Sequence, residues 1–398
     1  MAIDDLDLGL ALSGGGSRAA AFHRGTLRAL DELGLVPRIR SVSAVSGGSV
    51  FAASWLAARA RKQTDAQFLS WMHDILVRGF IRPSLLDWRV VSLLWRSRTE
   101  LLAGTFDRLL FDGIGFADLP ASPRLCLNTT VLNTGGPGRF SQEGYSCAGV
   151  GEAVHGAYPF AKIRGLTLGF ATAASAAFPF GLPPLSVLQK RVDLVFGHRL
   201  AGHRKLVLTD GGILENLGIE RLLQSDAFGA RHIVVSDAGA RDRNWQPSLL
   251  GRLKSAAIFG LSSDTLDRLL LIMNDKQNRN MRQLLFEKFL GEAEQPARRA
   301  LFVRLENDWS STVHEIPAVR SRELGLTRDA KASAVEQAIG AGLQQAKELY
   351  AELGGDAGVE TVNRVATGFS GLSAETLRAL ELHARWQVHA LVAIYGTL

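Results

Sequence analysis

The chain has 398 residues, a length that allows one large domain with added elements or two smaller domains. Hydrophobic residues make up 46% and charged residues 21%, which excludes a disordered chain without a core. The net charge of +6 is spread along the chain and the two cysteines form no metal-binding cluster, so nucleic-acid binding, a disulfide framework and a zinc finger are all disfavoured.

The N-terminal sequence predicts no secretory signal. Residues 1–8, MAIDDLDL, carry three aspartates and no basic residue. No uninterrupted apolar run reaches the length of about 18 to 20 residues that a membrane span requires. We therefore expect a cytoplasmic protein with at most peripheral contact with a membrane.

Two strand-turn-helix units open the chain. Residues 8–12 form a short apolar run that ends at Ser13 and three glycines, and apolar residues then recur at helical spacing over 19–33. Residues 39–45 repeat the pattern before a second small-residue turn, and residues 50–60 again have a helical period. Two such units predict parallel strands in a three-layer α/β/α fold with a mainly parallel central sheet.

Later segments alternate between strand and helix signals. Residues 67–111, with Trp71, Trp88 and Trp95, predict helices packed outside the sheet, and residues 171–184 predict a short helix closing into a tight loop. Further strands are predicted at 125–132, 205–208, 232–236 and 301–305. Further helices are predicted at 250–290, 333–353 and 374–395.

These signals divide the chain into two parts. We expect a catalytic core over residues 1–245, with a helical insertion at about 65–115. Residues 246–398 are predicted to form a mostly helical C-terminal part that packs on the core. The glycine-containing segment 354–368 has the composition of a linker.

The first glycine turn can bind an anion. Residues 13–18, SGGGSR, lie where a strand meets a helix, so backbone N–H groups converge near the positive end of the helix dipole. Such a turn can hold a phosphate or stabilise the oxyanion of an acyl transfer. The phosphate alternative is the weaker one, because no Lys-Ser or Lys-Thr pair follows the glycines and Asp31 lies too close for a dinucleotide-binding turn.

The second turn has the form of a nucleophile elbow. Residues 44–48, AVSGG, lie between a strand and a helix, in an arrangement that would expose the Ser46 hydroxyl above the sheet. Ala44 stands where the motif has glycine. Small-residue turns are common, so this turn alone does not identify a nucleophile.

The third turn offers an acid. Asp210 follows the strand at 205–208 and precedes two glycines, and open parallel sheets keep their sites at the carboxyl ends of strands. Asp210 can accept the Ser46 proton directly or through water, or it can simply cap a helix. The later histidines lie in no glycine-flanked loop after a strong strand and are better explained as surface or packed residues: His232, His314, His383 and His389.

In this order, the three turns resemble those of the patatin-like phospholipase family. That family has a glycine-rich oxyanion loop ending in arginine, a G-x-S-x-G elbow and an Asp-Gly-[Gly/Ala] motif, which match residues 13–18, 44–48 and 210–212. Residues 128–135 and 174–179, the latter ASAAFP, are also similar to family segments beside the site.

The resemblance spans about residues 7–239 and implies a patatin-like fold, with added helices at the C-terminal end. Ser13 in place of aspartate and Ala44 in place of glycine depart from the family pattern.

The resemblance also implies a serine acyl-ester hydrolase that needs no metal or other cofactor. Ser46 and Asp210 would form a catalytic dyad without histidine, and the N–H groups of Gly14, Gly15 and Gly16 would form the oxyanion hole. The substrate would be a fatty acyl ester lipid, cleaved as by a phospholipase A or a lysophospholipase.

Arg18, Phe178 and Phe180 are the predicted substrate-binding residues, and Leu182 is expected beside them in an apolar wall. Arg18 either attracts a phosphate head group or bonds loop carbonyls. Two alternatives stay open at this point: a catalytically silent member of the fold that binds lipid or a protein, and a serine esterase that depends on histidine.

Overall fold

The computed structural model describes residues 7–80, 97–147, 162–163, 165–179, 181–188, 192–193, 205–224, 228–239, 276–283, 299–315 and 342–396, with the single residues 268, 272 and 340. The strands in these ranges are β1 Leu8–Leu12, β2 Ile39–Val45, β3 Arg124–Val131, β4 Gly136–Ser141, β5 Gly144–Cys147, β6 Lys162–Ile163, β7 Leu185–Leu188, β8 Val192–Asp193, β9 Lys205–Asp210, β10 His232–Asp237 and β11 Arg299–Arg304. The helices are α1 Gly16–Glu32, α2 Gly47–Ala60, α3 Asp65–Arg78, α4 Arg98–Phe106, α5 Leu168–Ser175, α6 Gln344–Leu353, α7 Gly355–Asn363 and α8 Ala374–Gly396.

Nine of the described strands form one mixed sheet. Its order is β11-β10-β1-β2-β3-β4-β5, and β9 pairs with both β3 and β7. The strands from β11 to β3 are parallel, whereas the pairs made by β4, β5, β7 and β9 are antiparallel. Helices flank this sheet, so the predicted α/β fold class is confirmed.

The two strand-turn-helix units lie side by side in the parallel half. Leu12, the last residue of β1, pairs with Ala44 near the end of β2. The turns that follow these two strands therefore lie next to each other, at the carboxyl ends of the parallel strands. This register brings the glycine turn at residues 13–15 next to Ser46.

Strand β9 reaches the same place from the opposite direction. The pairing of β2 with β3 ends at Val45 and Asn128. Beyond that point β9 pairs with the same edge of β3, beginning with Asp210 opposite Thr129. β2 and β9 therefore lie end to end, with their carboxyl ends facing each other. The expectation that Asp210 ends a strand of the parallel set is wrong, because β9 is antiparallel to β3.

The alternation of side chains along β1 fills both faces of the sheet. Leu10 and Leu12 pack into the larger apolar core. Ala11 faces the opposite way, into a smaller core that contains Ile233 and Val235 of β10. Buried apolar residues on both faces are typical of a sheet covered on both sides.

The described C-terminal helices pack on the N-terminal part of the chain. An added Cβ at Gly25 of α1 would lie only 2.3 Å from the carbonyl oxygen of Glu381 in α8, and the Glu381 carboxylate forms ion pairs with Arg24 and Arg28. The predicted linker at 354–368 is wrong in its first half, because α7 occupies Gly355–Asn363. The division into two parts at residue 245 stays a prediction.

The helices predicted at 67–111 are confirmed for the described residues, as α3 and α4. Each begins with a capping box, Thr64 with Gln67 and Ser97 with Glu100. Trp71 packs against Phe68, whereas Trp88 and Trp95 lie outside the described residues. Among the helices of the described ranges, none is long and apolar enough to cross a membrane.

Candidate active site

Ser46 occupies a strained turn between β2 and α2. Its φ of 51° and ψ of −117° place it in a backbone region that residues other than glycine rarely adopt. The turn is possible because its neighbours have no side chains: an added Cβ would lie 2.3 Å from the Gly16 oxygen at Gly47 and 2.4 Å from the Leu12 oxygen at Gly48. The elbow thus forms with Ala44 in place of glycine.

Asp210 is the acid that the sequence predicts beside this elbow. In the structure it is buried and next to Ser46. Its Oδ1 accepts a hydrogen bond from the Gly212 N–H at 2.7 Å. Burial raises the pKa of Asp210 to about 6, and hydrogen bonding from the Gly212 N–H and the Ser46 hydroxyl opposes that rise. Oδ2 is buried and has no hydrogen-bond partner of normal geometry among the described residues. The Ser46 hydroxyl therefore lies beside a carboxyl group with one oxygen still open.

The backbone of Asp210 is fixed from two sides. Thr130 of β3 donates its hydroxyl proton to the Asp210 carbonyl at 2.9 Å, and the Asp210 N–H donates to the Ala177 carbonyl at 3.2 Å. The turn beyond it is held closely against β3, since an added Cβ at Gly211 would lie 2.4 Å from the Asn128 oxygen. The strand and the loop after α5 together set the direction of the carboxyl group.

Ser175, at the end of α5, holds the elbow from the other side. Its Oγ accepts the Ser46 N–H at 3.1 Å, donates to the Asn128 carbonyl at 2.6 Å and bonds the Ser49 hydroxyl at 2.7 Å. From the sequence, Ser175 was expected only as part of the segment at 174–179 that resembles the family. Its hydrogen bonds make it a structural partner of the candidate nucleophile.

The glycine turn presents fewer free N–H groups than the sequence predicted. The Gly14 N–H donates to the Asn216 carbonyl at 3.1 Å, so it is not free to stabilise an anion. Gly15 and Gly16 have φ angles of 139° and 62°, and their N–H groups donate to no acceptor in the described part of the chain. Of the three predicted donors, Gly15 and Gly16 therefore stay candidates for the oxyanion hole.

A third N–H, that of Gly47, also donates to no acceptor among the residues that the structure describes, and the sequence did not single it out. It is the residue after Ser46, at the first turn of α2, where backbone N–H groups have no intrahelical partner. An added Cβ at Gly47 would lie 2.6 Å from the Gly16 nitrogen, so the two glycines are in backbone contact. The general geometry of nucleophile elbows, in which the next residue donates to the oxyanion, was the signal that could have found it.

Asn216 lies where the three turns meet. A Cβ built on Gly14 would lie 2.3 Å from Asn216 Oδ1 and 3.2 Å from Ser46 Cβ. A Cβ built on Gly212 would lie 2.7 Å from the same amide oxygen and 3.0 Å from Asp210 Oδ1. The side-chain amide of Asn216 thus packs between the glycine turn and the aspartate turn. This role of Asn216 was not recognised from the sequence.

His23 supports the glycine turn without touching Ser46. A carbonyl only accepts, so His23 carries its proton on Nε2 and donates it to the Ser13 carbonyl at 2.9 Å. Its Nδ1 then accepts from the Ser236 hydroxyl at 2.7 Å. Burial lowers the pKa of His23 to about 4, so the ring is neutral near pH 7.

The histidines considered as alternative bases are engaged elsewhere or distant. His383 is bonded to the Leu305 carbonyl, and His389 pairs with Glu32. His232 begins β10 and pairs with Leu8, at the end of the sheet opposite Ser46. The side chain of His314 lies outside the described residues.

Arg18 bonds a backbone carbonyl of the C-terminal part of the chain. Its side chain is buried, and its Nη1 donates to the Val365 carbonyl at 2.9 Å. Burial lowers the pKa of Arg18 to about 10, and the Asp237 carboxylate opposes the change. The structure contains the alternative, a bond to a backbone carbonyl, and the contact with a head group stays a prediction.

The predicted apolar wall is described only in part. Phe178 is half-buried and follows Ala177, whose carbonyl accepts from the Asp210 N–H, so it lies next to the aspartate turn. Leu182 packs against the main core. Phe180 lies outside the described residues.

Comparison with known proteins identifies the family. A family model described as Patatin-like phospholipase matches residues 10–223. No curated protein matches the chain significantly.

Several solved structures resemble the chain at low identity. Human GIVD cytosolic phospholipase A2, in complex with methyl gamma-linolenyl fluorophosphonate, shares 14% identity over 98% of this chain and 58% of its own, with a TM-score of 0.48. VipD from Legionella pneumophila shares 13% identity over 89% of this chain and 78% of its own, with a TM-score of 0.31. The SpcU–ExoU complex from Pseudomonas aeruginosa shares 14% identity over 96% of this chain and 69% of the matched chain, with a TM-score of 0.25. The chain thus spans little more than half the length of the human enzyme.

Proposed function

The chain belongs to the patatin-like phospholipase family, and from this we propose that it hydrolyses fatty acyl esters of lipids, in the manner of a phospholipase A or a lysophospholipase. In this proposal Ser46 is the nucleophile and Asp210 is its base. The observation that carries the proposal is the pairing of a strained, hydroxyl-bearing turn with a buried carboxyl group whose Oδ2 has no hydrogen-bond partner of normal geometry in the part of the chain that the structure describes. Neither feature is expected of a turn that serves only to connect two elements.

The first step is acylation of Ser46. Its Oγ attacks the ester carbonyl while its proton passes to the open Oδ2 of Asp210, and the carbonyl oxygen becomes an oxyanion. The N–H groups of Gly15, Gly16 and Gly47 stabilise that oxyanion. As the tetrahedral intermediate collapses, the ester C–O bond breaks and the alcohol leaves with the proton from Asp210.

The second step releases the acyl group. Water attacks the acyl-Ser46 ester, passes a proton to Asp210, and the same N–H groups stabilise the second oxyanion. Collapse breaks the bond to Oγ, the Asp210 proton returns to that oxygen, and a fatty acid is released. The enzyme ends in the state in which it began, so no cofactor is required.

The environment of Asp210 suits this role. With a pKa of about 6 the carboxyl group is mostly ionised at pH 7, yet it is a stronger base than an exposed aspartate. A histidine base is less well supported, because His23, His383 and His389 are bonded to other groups. We further propose that the protein acts from the cytoplasm at a membrane surface, with Phe178 in contact with the acyl chain.

Hydrolysis assays with matched variants test the proposal. Phospholipids, lysophospholipids, triglycerides and short p-nitrophenyl esters would be offered to the wild type, Ser46→Ala and Asp210→Asn. We expect the wild type to release fatty acid from at least one glycerolipid, and each variant to lose about 10³-fold or more in kcat. If Ser46→Ala hydrolysed the same ester at the wild-type rate, the proposed nucleophile would be refuted. If the folded wild type were inactive on every ester, the silent-binder alternative would replace the enzyme.

A further inference from the structure

We propose that residues 364–372, here named the strap, are a positioning element of the catalytic site. The strap connects α7 to α8 and lies outside residues 10–223, which match the family. In this proposal, which rests on the proposed function, it holds the glycine turn so that Gly15 and Gly16 direct their N–H groups at the oxyanion. The C-terminal part of the chain is then required for catalysis.

The first connection between the strap and the glycine turn is made by backbone groups. The Ser17 N–H donates to the Gly368 carbonyl at 2.6 Å, and Gly16 and Gly368 form a parallel β-bridge. The approach is so close that an added Cβ at Gly16 would lie 2.1 Å from the Gly368 oxygen. With the Ser17 N–H occupied in this way, it cannot donate to an oxyanion.

Arg18 forms the second connection. Its Nη1 bonds the Val365 carbonyl of the strap at 2.9 Å, while its Nη2 lies 3.5 Å from the position a Cβ would take on Gly15. A buried guanidinium is costly to desolvate and is retained where it bonds carbonyls that would otherwise lack a partner. Arg18 therefore couples the strap to the residue before Gly16.

The other side of the strap is anchored on α3 and the residues after it. The Phe80 N–H donates to the Phe369 carbonyl and the Leu372 N–H to the Leu76 carbonyl, both at 3.0 Å. The Phe80 and Phe369 rings meet edge to face at 6.1 Å. An added Cβ at Gly371 would lie 2.4 Å from the Val77 oxygen, so this contact also requires glycine. The strap is thus fixed between α3 and the glycine turn.

This arrangement has a direct consequence for the reaction. Oxyanion donors act through their position, and a displacement of about 1 Å can cost about 10²-fold in rate. A change on the α3 side of the strap should therefore reach Gly15 and Gly16 without altering a residue that touches substrate. A segment that served only stability would lower the folded fraction and leave kcat of the folded protein unchanged.

Gly371→Ala and Phe369→Ala test the strap, with Phe369→Leu as the conservative variant. Gly104→Ala is the matched control, because a Cβ there meets nothing within 4 Å. For each protein we would measure kcat and KM on a p-nitrophenyl ester, the melting temperature, and hydrogen exchange of the peptide containing Ser17. Phe369→Ala keeps the test decisive if Gly371→Ala does not fold.

We expect both disruptive variants to lose about tenfold in kcat with KM changed less than about twofold, and the Ser17 amide to exchange faster. Phe369→Leu should recover most of kcat, and Gly104→Ala should match the wild type. The strap proposal is overturned if the folded variants keep wild-type kcat, or if Ser17 exchange is unchanged. Ser46→Ala separates the two proposals: full activity in that variant refutes the proposed function, while Ser17 exchange still decides whether the strap holds the turn.

Discussion

Ser175 Oγ accepts the backbone N–H of Ser46 at 3.1 Å. The single proton of this hydroxyl is donated to the Asn128 carbonyl, so Ser49 must be the donor in its bond with Ser175. One hydroxyl thus joins β3, α2 and the strained elbow. The position of the candidate nucleophile depends on a residue 129 positions away in sequence.

Ser175→Ala should therefore lower both stability and activity. It would leave the Ser46 N–H and the Asn128 carbonyl without their partner, at about 1–3 kcal/mol for each buried group. Thermal unfolding and ester hydrolysis measure the two effects. Ser54→Ala is the control, because the Ser54 Oγ is buried and has no hydrogen-bond partner in the described ranges, so its removal should cost little. Equal effects of the two alanines would contradict the assigned role of Ser175.

Gly47→Ala should abolish most activity. The new Cβ would lie 2.3 Å from the Gly16 oxygen and 2.6 Å from its nitrogen, which pushes the two proposed donors apart. Losing one oxyanion donor costs about 10² to 10³ in kcat. At Gly115, where the nearest contact of an added Cβ is 3.6 Å, alanine should have little effect. Circular dichroism would establish that both variants fold, and an active Gly47→Ala protein would exclude this amide from the oxyanion hole.

Asn216→Asp should shift the pH profile, whereas Asn216→Ala should not. The Asn216 amide packs on Gly212 beside Asp210, so a carboxylate there would repel the Asp210 charge and raise the pKa of Asp210 further. We expect the acidic limb of kcat/KM against pH to move upward for the aspartate variant alone. Both variants should lose kcat, about tenfold, because the amide separates the two turns. Superimposable profiles would show that Asn216 and Asp210 do not interact.

Asp210→Asn should make the protein inactive but more stable above neutral pH. The pKa of Asp210 is raised in the folded state, so the native protein prefers the protonated carboxyl. The stability that this preference contributes is present below about pH 4 and is lost as pH rises through about 6. Asparagine stays neutral, so the variant should gain about 3 kcal/mol over the wild type by pH 8 and nothing at pH 3.5. Urea unfolding at both pH values measures this, and a gain that is the same at both would contradict it.

Local motifs made much of this site predictable. The turns at 13–18, 44–48 and 210–212 are each marked by glycines at the end of a strand, and two of them carry a side chain proposed to react, Ser46 and Asp210. Such features depend on only a few neighbouring residues. The parallel register of β1 and β2 then brings the glycine turn and the elbow together, because neighbouring parallel strands end at the same side of the sheet. The confirmed fold class follows from such short-range signals, whereas the place of Asp210 beside Ser46 also depends on the pairing of β9 with β3.

Long-range contacts account for what the sequence did not predict. The sequence left open whether Arg18 attracts a head group or bonds backbone carbonyls, because its partner Val365 lies 347 positions away. The direction of β9 is set by its pairing with β3, which no local pattern encodes. The Gly14 N–H is likewise bonded to the carbonyl of Asn216, a contact between two distant turns that no local pattern encodes.

Covalent labelling with a fluorophosphonate, followed by peptide mass spectrometry, tests the central claim most directly. The reagent reacts with an activated serine and needs no knowledge of the natural lipid. We predict a single adduct on Ser46 in the wild type, no adduct in Ser46→Ala, and labelling slowed about 10²-fold or more in Asp210→Asn. An adduct on another serine, or equal rates for the wild type and Asp210→Asn, would contradict a Ser46–Asp210 dyad.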